Sequence, residues 1–447
     1  NAAKWGSATA STKNGSTIER VAHTGMEVRL DFGVIFEHLQ ESITDISYRH
    51  AVRYASKLLI SGDVATAIAE TMGQDYNDLI KQTLKNIARN DVTSDGPASN
   101  FFRSLRINNS IAIMTYNLKS AVSAPSGIFQ GMVELGAWPM VKSMAEFTNP
   151  KRAWETIKRI NELSDVMNVR SKIVNRDLRQ TRKKIGKGIL RAQLNDYGYY
   201  PLVKIDKFIT AIVWNAAEKK ALAEGKSQKQ AIFEGNQAVS LTQSSGSLFD
   251  ISPAESGGEL FRTLTFLYNY MGSTYNLTRG IIRRTGRDYK NADGIGKAAI
   301  VGKAGVDLAL LHIAQMMVYE MIVGNMPDDD DEKLNFFLWG FANQVFGMIP
   351  ILSGAVRSAE FGLSPQTLPA DSMMRSGTRF IQSAADDVEN GELSRDTLRS
   401  AAMAIGAYKG IPATFQALKI EKGVNALSEG EDVSPWEMFV SGVEKER

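Results

Sequence analysis

Residues Leu30 to Leu59 read LDFGVIFEHLQESITDISYRHAVRYASKLL. Apolar side chains stand at Val34, Ile35, Leu39, Ile43 and Ile46, three or four apart except for one adjacent pair, and this spacing lines one face of a helix. The pattern runs on through Tyr48, Val52, Ala55 and Leu59 and is expected to stop near Gly62, with Asp63 as the cap of a following helix through Ile68 and Met72. Tyr76 to Ala88 repeats the pattern with Leu79, Ile80, Leu84 and Ile87. No alternation of period two is long enough to argue for a sheet, and there is no internal repeat or heptad run. The reading is therefore all-α: an elongated multi-helix assembly, at least half helical, with no sheet above two strands.

Composition agrees. Hydrophobic content of 43% and charged content of 23% exclude wholesale disorder, and only 12 prolines leave long stretches free to be helical. The absence of cysteine removes disulfides, thiolate zinc sites, iron–sulfur clusters and cysteine nucleophiles together. Four histidines make a histidine-rich metal site improbable, so neither metal nor cofactor is expected. The net charge of +3 is too small to imply a partner, which leaves its distribution to be read.

The chain divides by pattern into six regions. Residues 1–29 read as a linker; the opening NAAKWGSATASTKNGS lacks the apolar core of a signal peptide and is expected to be the interior of a longer or processed polypeptide. An N-terminal helical region covers 30–99 and ends in the turn-rich DVTSDGPAS of residues 91–99. An apolar and then basic helical region covers 100–200, with Pro125 and Pro139 as breakers. A central region, 201–292, opens with an Ala-rich helix pair joined at Gly225 and capped by Ser227, and closes with an aromatic-rich helix from Glu259 to Ile282 that ends in Arg283, Arg284 and Arg287. A long hydrophobic hairpin is expected over 293–360, and shorter helices near 371–388, 394–406 and 412–427 within 361–447.

The Gly-rich spots at 256–259, 294–297 and 302–305 lack the strand, loop and helix context of a phosphate loop and read as flexible helix junctions. His38 and His50 are twelve residues apart on one predicted helix, too far to share a metal. The run Asp328 to Glu332 lacks the alternating ligands, central Gly and closing Glu of an EF-hand, and reads as a solvated turn at a helix start. No nucleophile, base and orienting group can be assembled from the sequence, so the chain is expected to be non-catalytic.

Two features carry function. Residues 142–191 hold fourteen Lys and Arg against five Asp and Glu, a net +9. Such a stretch either lies on DNA phosphates or anionic headgroups, with Lys172, Arg176, Arg179, Arg182, Lys183, Lys184 and Lys187 as candidate contacts, or is a solvated helix face. The second feature is a pair of apolar stretches, Val306 to Met326 and Asn335 to Val356, each about 20 residues and so long enough to cross a bilayer. Their linking turn is acidic and the basic residues lie outside the pair, which would place the turn away from the cytoplasm. Asp307 and Glu320 are costly in lipid, and Gly340 and Gly347 suit a tight helix contact. We therefore expect a packed hairpin, with Asp307, His312, Glu320, Trp339, Gly340, Gly347 and Pro350 as its marker residues and bilayer insertion as a later state.

Leu30 to Leu59 resembles the opening segment of the large polyvalent-protein-associated helical domains of phages and prophages, where an LD-x-x-VI-x-x-HL pattern precedes an aspartate and a His/Arg pair. Gln237 to Arg279 (QAVSLTQSSGSLFDISPAESGGELFRTLTFLYNYMGSTYNLTR) is similar to that family's Ala-Val…Gln-Ser/Gly-Ser-Gly run, followed by a Gly-Gly-Glu and an aromatic helix ending in Tyr-Asn, and is the strongest match. Phe346 to Ala359 resembles the Ile-Pro segment after the hairpin, with Ser353-Gly354 in place of the usual Arg-Asp, and Ile405 to Ala417 resembles a later Gly-x-Pro segment. The likeness runs in order through about residues 30–420, while the PLxRFG signature of many such proteins is absent.

What the resemblance implies is a structural internal virion protein, the C-terminal part of a giant phage polypeptide. Such a protein is packaged inside the capsid and ejected with the DNA to help form a channel across the host envelope. The implied partners are further copies of the chain, other internal virion or portal proteins, phage DNA, and the host membrane after ejection. It carries over no catalytic residues. The alternative is an accessory domain of a phage polypeptide with an enzymatic or DNA-binding role, to be told apart by whether acidic side chains cluster in a pocket.

Overall fold

The computed structural model of the chain describes residues 50–59, 62–89, 97–118, 127–172, 198–243, 269–314, 316–318, 369–391 and 393–442, with Glu259, Arg262, Met321, Phe336 and Phe341 as single positions. The fold is all-α: the described residues are 88% helical and contain no strand. The chain forms two compact units, one from residues 1–100 and 251–262 and the other from 101–250 and 263–447.

In the first unit, α1 (50–59), α2 (Gly62–Met72) and α3 (Gln74–Arg89) follow one another with short breaks. Gly62 adopts φ +59 and Gly73 φ +94, conformations that glycine enters without the Cβ penalty. Asp63 lies inside the first turn of α2 and is not its cap. Its charge still favours that position, because the amides of a first turn carry partial positive charge.

The second unit begins within α4 (Pro97–Met114) and continues through α5 (Ile128–Leu135), α6 (Ala137–Phe147), α7 (Pro150–Leu163), α8 (Asp165–Lys172), α9 (Tyr200–Ala223) and α10 (Gln228–Thr242). Beyond these come α11 (Asn269–Asn291) and α12 (Gly294–Leu308), which runs into a π-helical turn, Ala309–Ala314. The helices α13 (Pro369–Asn390), α14 (Arg395–Lys409) and α15 (Thr414–Ser428) close the order, with a second π turn at Glu437–Ser441.

The centre of this unit is α9. Every residue from Ile209 to Glu218 is buried, so the helix is covered on all sides by α5, α6, α7 and α10. A helix buried all round needs apolar or internally paired residues at every position, which the run ITAIVWNAAE supplies. Met140, Phe147, Ala153, Ile160, Met167, Trp214 and Val239 form one core with it. The expected join at Gly225 is present, with φ +79, and the expected cap Ser227 makes a reciprocal capping box with Gln230.

Several boundaries differ from the sequence reading. Pro139 does not break a helix; it sits in the first turn of α6, where a missing amide hydrogen leaves no intrahelical bond unmade. The aromatic helix, expected to end in Arg283, Arg284 and Arg287, carries all three in α11 and runs on to Asn291, and Arg284 lies 3.5 Å from Glu134 of α5. The glycines 294–305 are not flexible junctions. Asp293 caps the backbone amide of Gly296 at 2.8 Å, Lys303 pairs with Asp307 at 2.6 Å, and α12 runs unbroken through Gly302 and Gly305. The helical glycine cost of about 1 kcal/mol each is offset here by the cap and by packing of Ala304 and Leu308 onto Leu277, Ile281 and Leu311.

Candidate functional site

The basic stretch and the start of the apolar stretch are both partly described. In the first, Asn149 caps α7 by accepting from the amides of Lys151 and Arg152 at 3.0 and 3.3 Å, with Pro150 opening the helix. This start points Ala153 and Ile160 into the core and Lys151, Arg152, Trp154 and Lys158 to solvent.

Arg159 is the exception among the basic side chains. It grips Glu218 of α9 with both terminal nitrogens, at 2.7 and 2.6 Å, and reaches Asn215 at 3.1 Å. Asn215 donates in turn to Ser143 at 3.0 Å and to Glu146 at 3.2 Å, while Ser143 donates to the Ile212 carbonyl at 2.8 Å. Lys219 bonds Glu146, and Gln228 donates to Glu218 at 3.0 Å. Burial opposes ionisation of Glu218, but the bonds from Arg159 and Gln228 outweigh it and hold its carboxyl below the usual range. Glu146 behaves the same way, with burial opposed by Lys219 and Asn215. The hydrogen bond to Glu218 raises the Arg159 guanidinium above its ordinary value. This network ties α6, α7, α9 and α10 together.

A second polar knot lies beside it. Asn236 of α10 accepts from Ser164 at 2.6 Å and from the Trp214 indole at 2.9 Å, joining the α7–α8 corner to α9. Gly235 lets the two helices meet, since a Cβ there would stand 2.7 Å from the Trp214 ring.

Between α7, α8 and α9 a cleft of about 470 Å³ opens. Its lining mixes apolar side chains, Trp154, Ile157, Ile160, Met167 and Ala211, with the cations Lys158, Arg170, Lys204 and Lys207 and the carboxylates Glu162 and Asp165. Arg170 donates to the Gln243 carbonyl at 3.1 Å and lies 3.7 Å from Asp206. Burial and then the neighbouring Lys204 push the Lys207 ammonium below its ordinary value, against the pull of Asp206. Thr210, 1% exposed, lines the cleft, and its hydroxyl has no hydrogen-bond partner among the described residues.

Of the basic contacts expected from sequence, Lys172 closes α8, and Arg176, Arg179, Arg182, Lys183, Lys184 and Lys187 lie outside the described residues. Among the hairpin markers, Asp307 ends α12 in its pair with Lys303, and His312 is fully buried in the π turn. Glu320, Trp339, Gly340, Gly347 and Pro350 lie outside the described residues, as does most of the hairpin. Among the described residues no helix is long and apolar enough to cross a membrane, and no group of three or more metal-ligating side chains occurs.

His312 stands in a specific setting. Thr278 gives its hydroxyl hydrogen to the Thr274 carbonyl at 2.8 Å, so at 3.0 Å it accepts from His312 Nε2. That bond selects the neutral tautomer with the proton on Nε2. Nδ1 then faces no partner, and Phe341 packs edge-on against the ring. Burial lowers the imidazole to about 4, since a second proton would sit where nothing accepts it.

No family model matches the chain, and no curated protein and no solved structure is significantly similar to it.

The sequence reading missed Arg159, Asn215, Glu218, Lys204 and Lys207 as a site. The one local signal was the charged and amide residues inside the otherwise apolar run of α9, Asn215 and Glu218, which a wholly buried helix carries only when they are paired.

Proposed function

We propose that the chain is a structural internal virion protein of a bacteriophage, packaged in the capsid and ejected with the DNA, whose helices help build a conduit across the host envelope. The observation that carries this reading is the ordered likeness from about residue 30 to 420, lying on a chain whose fold is all-α. Exposed aromatic side chains add support. Trp154 is 69% exposed, and Trp138 and Phe233 are each 66% exposed, on three different helices of one unit. Large aromatic rings at the surface are enriched where protein meets protein, which fits a subunit that works in an assembly with its own copies and with portal-side proteins. In the particle the apolar hairpin of 306–356 is packed against other helices; after ejection its faces exchange those contacts for lipid.

Mass spectrometry of purified virions from the phage or induced prophage that encodes the chain tests this directly. The expected result is the chain inside DNA-filled particles at a fixed copy number and its loss from particles that have ejected. Absence from full particles, or retention in emptied ones, overturns the proposal.

The exposed Lys142, Lys151, Arg152 and Lys158 favour a second role, contact with packaged DNA. Binding of this kind weakens steeply with salt, and a salt-independent affinity for duplex DNA would exclude it.

A further inference from the structure

The cleft between α7, α8 and α9 has a chemistry that the structural role does not use. Its volume of about 470 Å³ suits a small molecule rather than a chain segment. Its cations are unevenly engaged. Lys158 lies 3.9 Å from Glu162, and Arg170 is held by the Gln243 carbonyl and Asp206. Lys204 and Lys207, one helical turn apart on α9, have no carboxylate in ion-pair or hydrogen-bond contact among the described residues. Lys204 rests over the Tyr200 ring at 5.0 Å, and Lys207 is half-buried beside it. The two ammonium groups repel each other, Asp206 offsets that repulsion only in part at Lys207, and an anion between them relieves it further. The buried hydroxyl of Thr210 lies one turn further along the same face, lacking a partner among the described residues. The same cleft is lined by Ile157, Ile160, Met167 and Trp154.

We infer that this cleft binds a small organic phosphate, its phosphoryl group between Lys204 and Lys207 and its apolar or aromatic body along Ile157, Met167 and Trp154. The anionic end answers a lysine pair that makes no direct ion pair and that Asp206 offsets only in part. The apolar wall explains why an inorganic ion would leave much of the cleft unused. A phosphoryl group of this kind belongs either to a nucleotide or to a lipid headgroup, and both present the same oxygens to the two ammonium groups. The inference stands apart from the virion reading, since a soluble assay of the purified chain decides it.

Calorimetric titration of the full chain at low salt with three probes tests the site: deoxyadenosine monophosphate, dihexanoyl phosphatidic acid below its micellar concentration, and inorganic phosphate. We expect one organic probe to saturate at least ten-fold more tightly than inorganic phosphate. The double substitution Lys204→Gln and Lys207→Gln should weaken it ten-fold or more, while Lys229→Gln, exposed on α10 outside the cleft, should leave it unchanged. Tighter nucleotide binding assigns an aromatic body, and tighter lipid binding assigns an acyl one. The inference is overturned if neither organic probe binds in the millimolar range, if inorganic phosphate binds as well as they do, or if the double variant, confirmed folded by circular dichroism, binds like the native chain.

Discussion

Two regions of the second unit bury polar side chains, and they do so in opposite ways. Around α9, Arg159, Glu218, Asn215, Ser143 and Glu146 connect their donors and acceptors in one continuous network. At the π turn, His312 is more deeply buried than Arg159 or Glu146, yet among the described residues only Nε2 is bonded and Nδ1 has no partner. A saturated network locks the helices that share it, because removing any member strands the others in low dielectric. A half-satisfied histidine stays folded only while it stays neutral. The first region is therefore a fastening and the second is conditional on pH.

The largest break expected in this contrast comes from Arg159→Ala. Glu218 is almost fully buried and keeps Gln228 as its donor. Loss of a partner from a buried pair costs about 3–5 kcal/mol, and the partial exposure of Arg159 places this case at about 3. Urea unfolding of the two proteins measures it. The pH profile sharpens the assignment. Because Glu218 has a depressed folded value, its contribution is complete above the ordinary carboxyl value of 4.5 and is lost as pH falls through the folded one. The variant should show a flatter acid limb there; an unchanged limb would mean that the pair contributes little.

The histidine should give the next effect. Its folded value of about 4 lies below the ordinary 6.5, so the unfolded chain binds the extra proton between those limits. Stability should decline as pH drops from 6.5 towards 4, by about 2 kcal/mol after allowance for water entry. His312→Leu should remove this slope, with thermal melts across pH 4–7 as the measurement. A slope that survives the substitution assigns the proton uptake to another group.

Overpacking comes third. Gly235→Ala drives a Cβ into the rigid Trp214 ring and should cost about 1–3 kcal/mol, with the indole hydrogen bond to Asn236 disturbed. Tryptophan fluorescence and unfolding read both changes together. Removing a cap is expected to matter least. Ser227→Ala deletes one half of a capping box and should cost about 1 kcal/mol by the same unfolding assay. If it cost as much as Arg159→Ala, the contrast between core network and local capping would not hold.

Local features were legible in the residues. Spacing of three and four gave the helices, and Gly225 and Ser227 marked the α9–α10 corner; of the turn expected at 91–99, residues 97–99 are instead the start of α4 and the rest lie outside the described residues. Helix spacing and the corner depend on φ preferences, capping geometry and side chains within one turn, all of which lie within a few residues of each other. The same local rules misplaced Pro139 and the glycines of α12, because a helix start, a cap or a packed neighbour overrode a single-residue preference. Only the tertiary structure decided which polar groups meet. Arg159 and Glu218 are 59 residues apart, His312 and Thr278 are 34 apart, and the cleft gathers residues from α7, α8 and α9. A lysine on a helix face looks the same in sequence whether it is solvated, paired or held over a pocket, and the difference is set by which other face the fold brings to it.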